Sequence, residues 1–238
     1  MKLTSHRVFL CRTPPIHSLA CVMTIGLLLL IPTAVVAQSN GQSATGQITI
    51  IAFGDSLTAG YLLPPTAAFP AQLQVALAAK GYKVEIVNAG VSGDTTSGGL
   101  DRIEWTLQVP ADGIILELGA NDALRGTDPK IPRENLDKIL AVLKSRGLEV
   151  LMAGMRAPQN WGPDYVKAFD AIFPELAAKH AVSLYPFFLD GVALDPALVM
   201  QDGLHPTEQG VAEIVRRILP HAEAMVLKIQ ERKTAANK

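Results

Sequence analysis

Short apolar runs alternate with longer segments of helical periodicity along most of the chain. The runs are Ile48–Phe53, Val84–Asn88, Gly113–Leu118, Glu149–Ala153 and Val182–Leu184. Most of them are apolar on both faces, which predicts strands of a parallel sheet that is buried on both sides. Because helical segments separate the runs, the pattern predicts an α/β fold, a three-layer α/β/α sandwich around a five-stranded parallel sheet.

Helices are predicted between these strands and after the last one. Phe69–Lys80 and Pro132–Arg146 are each followed by a glycine, and the second has proline in its first turn. Asp164–His180 predicts a third helix. Thr207 is placed to cap a final helix, which Pro220 is expected to kink or end.

The first 37 residues have the composition of a secretory signal peptide. They contain no Asp or Glu, and the apolar run Leu19–Ala37 closes with small residues at the two positions that signal peptidase reads. We expect cleavage after Ala37 and a periplasmic or secreted protein. The alternative is an uncleaved membrane anchor, since the run is nearly long enough to span a bilayer.

Beyond this leader the sequence predicts one domain. Residues 38–46 are rich in Gly, Ser and Gln and are expected to be a flexible lead-in, 47–232 carry the alternating pattern, and 233–238 are expected to be a tail. A chain of 238 residues leaves no room for a second full domain. We expect a monomer without a stable membrane anchor.

Charge and cysteine content narrow the classes of function. Without the leader, 18 of the 21 Lys and Arg residues remain against 22 Asp and Glu, a net charge of −4, and no basic tract precedes the C-terminal tail. Nucleic acid is therefore not an expected partner. Cys11 and Cys21 both lie in the leader, which excludes a cysteine nucleophile from the mature chain.

Ser56 is the strongest candidate for a nucleophile. It lies in the motif Gly-Asp-Ser-Leu at residues 54–57, directly after the first predicted strand. The carboxyl ends of parallel strands are where open α/β sheets build their sites. A serine hydroxyl also needs a base within hydrogen-bond reach, usually a histidine that a carboxylate holds in place.

His205 is the best placed of the three histidines beyond the leader. It follows Asp202 by three residues with a glycine between them, so a tight turn can bring the carboxylate to the imidazole. His180 ends a predicted helix, where a cation is favourable, and His221 is expected on an exposed turn. The sequence therefore favours Ser56, His205 and Asp202 as one group.

Two segments at strand ends could donate to the oxyanion that forms on a carbonyl under attack. Gly93 lies in a loop after the second strand, and a glycine leaves its backbone N–H open to a ligand. Asn121 follows the third strand, and its amide is a donor that does not titrate. A rival hypothesis is a phosphate cradle over Val91–Gly99, although P-loop and dinucleotide-binding glycine patterns are missing there.

The chain resembles the SGNH (GDSL) hydrolases in four blocks that occur here in the family's order: Gly54-Asp55-Ser56-Leu57, Gly93, Asn121 and Asp202-x-x-His205. The similarity covers about 48–219 and is greatest to bacterial arylesterases and periplasmic multifunctional thioesterase/lysophospholipases. One departure is Ala120, where many relatives have glycine. We expect this methyl group to affect substrate preference only.

The resemblance implies a flavodoxin-like fold and a serine esterase that works through an acyl-enzyme. It assigns Ser56 as nucleophile, His205 as base and Asp202 as the group that orients the base. It further implies an oxyanion hole made of the N–H groups of Ser56 and Gly93 and the Asn121 side chain, with no metal and no cofactor. The alternative is a non-catalytic lipid- or carbohydrate-binding relative on the same fold.

Substrate identity is the least determined feature. We expect Leu124, Met155, Pro158 and Trp161 to line the substrate groove, with packing or loop structure as the alternative for each. Small-molecule aryl or alkyl esters, acyl thioesters and lysophospholipids would all suit an apolar groove. Peptide bonds are less suitable because amines are poorer leaving groups.

Overall fold

The sheet has the predicted number and direction of strands. The computed structural model describes residues 46–236, so the predicted leader and almost all of the lead-in lie outside the described residues. The strands are β1 (Ile48–Gly54), β2 (Val84–Gly90), β3 (Gly113–Glu117), β4 (Glu149–Ala153) and β5 (Ser183–Tyr185). All neighbours are parallel, in the order β2-β1-β3-β4-β5. This order is the flavodoxin-like one, and it confirms the predicted fold class.

Helices cover both faces of the sheet. Within 46–236 they are α1 (Ser56–Ala59), α2 (Phe69–Ala79), α3 (Thr96–Thr106), α4 (Ala120–Leu124), α5 (Lys130–Ser145), α6 (Pro163–Asp170), α7 (Ile172–His180) and α8 (Glu208–Ala236). Helix α2 packs against α8, whereas α5 packs against both α3 and α7. The two groups of helices give the three layers that the sequence predicts. No helix in the described part of the chain is long and apolar enough to cross a membrane.

The predicted helix over Asp164–His180 is divided in two at Ala171, between α6 and α7. The cause is Pro174, which has no N–H to donate to the carbonyl of Asp170 and whose ring crowds that carbonyl. The side chain of Asp170, at the end of α6, accepts a hydrogen bond of 2.8 Å from the Ala157 N–H. This bond ties the end of α6 to the segment that follows β4.

The last helix begins as predicted, with the Thr207 hydroxyl accepting a hydrogen bond of 3.1 Å from the Gly210 N–H. It does not end at Pro220, which lies exposed inside α8. Fully buried Ile218 and Ala222 flank this proline on the core side of the helix. Their packing offsets the cost of roughly 3 kcal/mol that proline brings to a helix interior. The helix continues to Ala236, past the predicted end of the domain.

Candidate active site

Ser56 lies directly after β1, at the first position of the short helix α1. The Asp55 side chain caps this helix by accepting a hydrogen bond of 2.9 Å from the Leu57 N–H. The turn fits tightly beside the neighbouring strand, since a Cβ on Gly90 would collide with the backbone of Ala59. Ser56 is 8% exposed, so the residue is almost entirely buried.

The structure brings Ser56, His205 and Asp202 into one hydrogen-bonded chain. The Oγ of Ser56 lies 2.9 Å from Nε2 of His205, and Nδ1 of the same ring lies 2.7 Å from Oδ2 of Asp202. An ionised carboxylate can only accept, so Nδ1 carries the proton and Nε2 is free to accept one. The arrangement can therefore take up a proton from the serine hydroxyl.

The loop from Asp202 to His205 fixes the Asp202 carboxylate beside the imidazole of His205. The second oxygen of Asp202 accepts hydrogen bonds from the N–H groups of Leu204 and His205, at 2.9 and 3.0 Å. Gly203 makes this turn possible because its φ is +70°, in the left-handed region. The His205 N–H, followed by the His205 ring and the Leu204 N–H, lowers the pKa of Asp202 to about 2. Asp202 is thus ionised over the whole neutral range.

Tyr61 is a contact of His205 that the sequence did not reveal. The centroids of the two rings lie 4.4 Å apart with an interplanar angle of 37°. Tyr61 is 40% exposed, so it covers one side of the imidazole while its own outer face meets solvent. No spacing rule links an aromatic residue after the first helix to a histidine near the end of the chain.

Asn121 lies in the first turn of α4, where its side chain faces the turn that carries Ser56. Its Nδ2 donates to Oδ2 of Asp55 over 3.0 Å and to the backbone oxygen of Asp94 over 2.8 Å. Gly119 precedes the helix with a φ of +118°, a conformation that favours glycine. The amide is therefore fixed between the loops after β1 and β2.

The loop that holds Gly93 is anchored by arginine side chains. Gly93 has a φ of +81°, and a side chain there would meet open space, so the backbone conformation is what requires glycine. Its carbonyl accepts a hydrogen bond of 3.0 Å from Arg125. Asp94, the next residue, forms an ion pair of 2.8 Å with Nε of Arg102.

Arg102 ties together the strand ends that carry the site, a role the sequence did not suggest. Its two terminal nitrogens donate to the carbonyls of Ala89 and Gly54, each at 2.9 Å. The guanidinium lies 3.9 Å from the centroid of the Phe53 ring, a cation–π contact. The planar fork of arginine suits this set of partners, which a lysine could not satisfy.

Two carboxyl groups are buried under Ser56. Asp55 and Glu117 are both 0% exposed. Burial is the main cause that raises the pKa of Asp55 to about 6, against hydrogen bonds from Leu57 and Asn121 that lower it. Burial and then the charge of Asp55 raise the pKa of Glu117 well above its usual range. Removing water from a carboxylate is costly, so these groups favour the protonated state more than ordinary acids do.

The other two histidines lie away from Ser56. His180 ends α7 as predicted, and its Nε2 lies 2.6 Å from Oδ1 of Asp137. His221 was expected on an exposed turn, but it lies half-buried within α8, edge-on to the Tyr185 ring at 5.2 Å. Among residues 46–236, no group of three or more His, Cys, Asp or Glu side chains is arranged to hold a metal ion.

A cavity of about 810 Å³ opens beside Ser56 and His205. Leu124, Met155 and Pro158 line it, together with Ala120 and residues of 187–199. Most of the lining side chains are apolar, as is usual for a pocket that takes a small organic molecule.

Trp161 does not line this cavity, contrary to the expectation from the sequence. Its six-membered ring packs on Gly126, where any side chain would collide with the indole. The Tyr165 ring lies on its other side, at 5.8 Å between centroids. Trp161 thus supports the loop after α4 and leaves the cavity wall to smaller side chains.

The chain is similar to known hydrolases over most of its described length. Residues 52–212 match the model of the GDSL-like Lipase/Acylhydrolase family. An arylesterase of Vibrio mimicus is 41% identical over 174 residues, which cover 71% of this chain and 87% of that protein. Thioesterase 1/protease 1/lysophospholipase L1 of Escherichia coli K12 is also 41% identical, over 66% of this chain and 75% of its own length.

Solved structures of esterases share the fold. AlinE4, an esterase of the SGNH-hydrolase family, superimposes with a TM-score of 0.65 at 45% identity, covering 76% of this chain and 98% of its own. The chain therefore belongs to the GDSL-like lipase/acylhydrolase family. It is a carboxylic ester hydrolase, as its relatives are.

The buried Asp55 should make stability depend on pH in a defined direction. Its folded pKa of about 6 exceeds its usual 3.8, so its contribution to stability is present below that usual value and is lost as the pH rises through about 6. We expect the unfolding free energy of wild type to fall, relative to Asp55→Asn, by roughly 1–3 kcal/mol between about pH 4 and pH 7. Urea unfolding at each pH measures this difference.

Asp137 is the matched control for this prediction. Hydrogen bonds from Lys179 and His180 lower its pKa, so Asp137→Asn should show the opposite sign, with a smaller size because the group is exposed. A wild-type minus Asp55→Asn difference that stays constant with pH would contradict the assignment.

Proposed function

We propose that the protein is an exported serine esterase in which Ser56 is the nucleophile, His205 the general base and Asp202 the residue that orients it. The observation that carries the proposal is the unbroken hydrogen-bonded chain of these three side chains at the mouth of the cavity. The order of donors and acceptors along this chain matches what base-assisted attack by a hydroxyl requires.

The reaction has two half-reactions that share His205. Oγ of Ser56 attacks the ester carbonyl while Nε2 of His205 takes the serine proton, and the ionised Asp202 stabilises the imidazolium. The bond between the carbonyl carbon and the leaving oxygen or sulfur then breaks, and His205 gives its proton to the leaving alcohol or thiol. Water next loses a proton to His205 and attacks the acyl group. The bond between the acyl carbon and Oγ of Ser56 then breaks, Oγ takes the proton back from His205, and the free acid departs.

The oxyanion that forms in each half-reaction would be held by the N–H groups of Ser56 and Gly93 and by Nδ2 of Asn121. Asn121 is held near the Ser56 turn because its two amide hydrogens are donated to Oδ2 of Asp55 and to the Asp94 carbonyl. The amide would give one of these hydrogen bonds to the oxyanion when substrate is attacked. The two backbone N–H groups are held by their loops, so they need little reorganisation when charge develops on the carbonyl oxygen.

The substrates we propose are aryl esters and short-to-medium acyl esters, with acyl thioesters and lysophospholipids as further candidates. The apolar cavity beside Ser56 supports an acyl or aryl group. Arg156 also lines it, and its guanidinium lies 4.9 Å from the centroid of the Phe187 ring. A leaving group that carries phosphate could bind this cation.

Ser56→Ala tests the central assignment. We expect it to lower kcat/KM by at least about 10⁴-fold on every ester that wild type cleaves, because among residues 46–236 no other hydroxyl is hydrogen-bonded to His205. The measurement uses p-nitrophenyl esters from acetate to palmitate and one acyl-coenzyme A. Ser145→Ala, at the exposed end of α5, is the control and should behave as wild type. Activity of Ser56→Ala near that of wild type would sink the proposal.

Asn121→Ala tests the oxyanion donor. Loss of one such donor should reduce kcat by roughly 10²–10³-fold, with a much smaller effect on KM, because the amide binds charge that develops only during attack. Steady-state kinetics on the best p-nitrophenyl ester measures both parameters. A variant with unchanged kcat would exclude Asn121 from the hole.

Export rests on the leader in residues 1–37. We propose cleavage after Ala37, so N-terminal sequencing of protein released from a periplasm by osmotic shock should begin at Gln38. Ala37→Glu is the control and should block this processing. Recovery of the intact N-terminus from the membrane fraction of the wild-type protein would favour the anchor instead.

A further inference from the structure

Glu117 is the last residue of β3, and it lies opposite Gly54 in the pairing of β1 with β3. The residue is 0% exposed. The fit between the two strands is close, since a Cβ on Gly54 would collide with Oε2 and with the backbone oxygen of Glu117. This carboxyl group therefore lies directly under the turn that carries Ser56.

The hydrogen bonds that the Glu117 side chain accepts come from that turn. Its Oε2 accepts from the Asp55 N–H over 3.2 Å and from the Thr58 hydroxyl over 2.6 Å. These donors belong to the residue before Ser56 and to the residue two positions after it. One carboxyl oxygen thus holds the nucleophile from both sides.

The other carboxyl oxygen of Glu117, Oε1, makes no hydrogen bond within residues 46–236 that would offset the cost of burying this side chain. Oε1 is buried and has no hydrogen-bond partner among the described residues. Burying a carboxyl group with one oxygen unpartnered costs free energy, and an apolar residue would normally fill such a position. The two bonds to the Ser56 turn are what the group gains in return.

We propose that Glu117 is a positioning residue for catalysis, which fixes Oγ of Ser56 in line with His205 through its bonds to the Asp55 N–H and the Thr58 hydroxyl. The inference rests on the proposed role of Ser56. Because Oγ and Nε2 are only 2.9 Å apart, a small displacement of the turn would weaken the proton transfer without changing the walls of the cavity.

The first experiment removes the hydroxyl that Thr58 donates to Glu117 but keeps a side chain of the same shape. Thr58→Val should lower kcat about tenfold, the size of one hydrogen bond, while KM stays within about twofold. Thr58→Ser keeps the hydroxyl and should restore kcat. Thr106→Val is the matched control, because Thr106 is also buried but its hydroxyl bonds only the Arg102 carbonyl within α3. It should keep the wild-type kcat.

The second experiment changes the acceptor. Glu117→Gln keeps a neutral oxygen acceptor in place and should retain kcat within about threefold, since burial already favours the protonated acid in wild type. Glu117→Met has no such acceptor and should lose about tenfold or more. In the double variant with Thr58→Val, the losses should not multiply, because both changes remove the same bond.

Each kcat is expressed per reactive Ser56, counted by titration with a p-nitrophenyl phosphonate. A residue that only stabilises the fold would reduce the number of reactive sites and leave kcat per site unchanged, and that result for Thr58→Val would overturn the inference. Equal loss in Thr58→Ser and Thr58→Val would overturn it as well. If Thr58→Val matches wild type while Ser56→Ala is inactive, the inference fails and the proposed function stands.

Discussion

The parallel pairing of β1 with β2 on one side and β3 on the other is the constraint on which the site depends. It brings Gly54, Gly90 and Glu117 together at the carboxyl edge of the sheet. The loops that follow carry Ser56, Gly93 and Asn121, to which we assign the nucleophile and the oxyanion donors. Strand order reverses at this point, which opens the crevice where doubly wound sheets bind ligands. A shift of β3 by one residue would turn the Glu117 side chain to the opposite face of the sheet, away from the Ser56 turn.

The polar groups buried beside Ser56 lower the stability of the fold, but they fix the positions of the Ser56 turn and the Asn121 amide. Asp55 caps the helix that begins at Ser56 and accepts a hydrogen bond from the Asn121 amide, and Glu117 accepts one from the Asp55 N–H in the same turn. Each is a carboxyl group in surroundings that raise its pKa, so each costs folding free energy. Arg102 closes the arrangement from the side through the Gly54 carbonyl. Ser56 and Asn121 thus lie in a connected polar network at the edge of the sheet, and the apolar cavity opens beside Ser56.

The sequence predicted the features that local patterns encode. Apolar runs predicted the five strands, and the three-residue spacing of Asp202 and His205 predicted a turn that brings them together. Helix ends were less predictable, because Pro220 is tolerated by packing whereas Pro174 breaks a continuous pattern. Contacts between distant segments could not be found, among them those of Arg102 and of Trp161. No local signal distinguishes a partly buried arginine that bonds two strand ends and a loop from an ordinary helix residue. These contacts become visible only in the folded structure.

The most direct measurement of the central claim is the site of covalent modification by an ester mimic. The protein is treated with a fluorophosphonate, digested, and mapped by mass spectrometry, with His205→Ala alongside. The account predicts one adduct, on Ser56, that forms rapidly in wild type and far more slowly in the variant, because attack needs the imidazole at 2.9 Å. An adduct on another residue, or equal labelling rates in the two proteins, would contradict it.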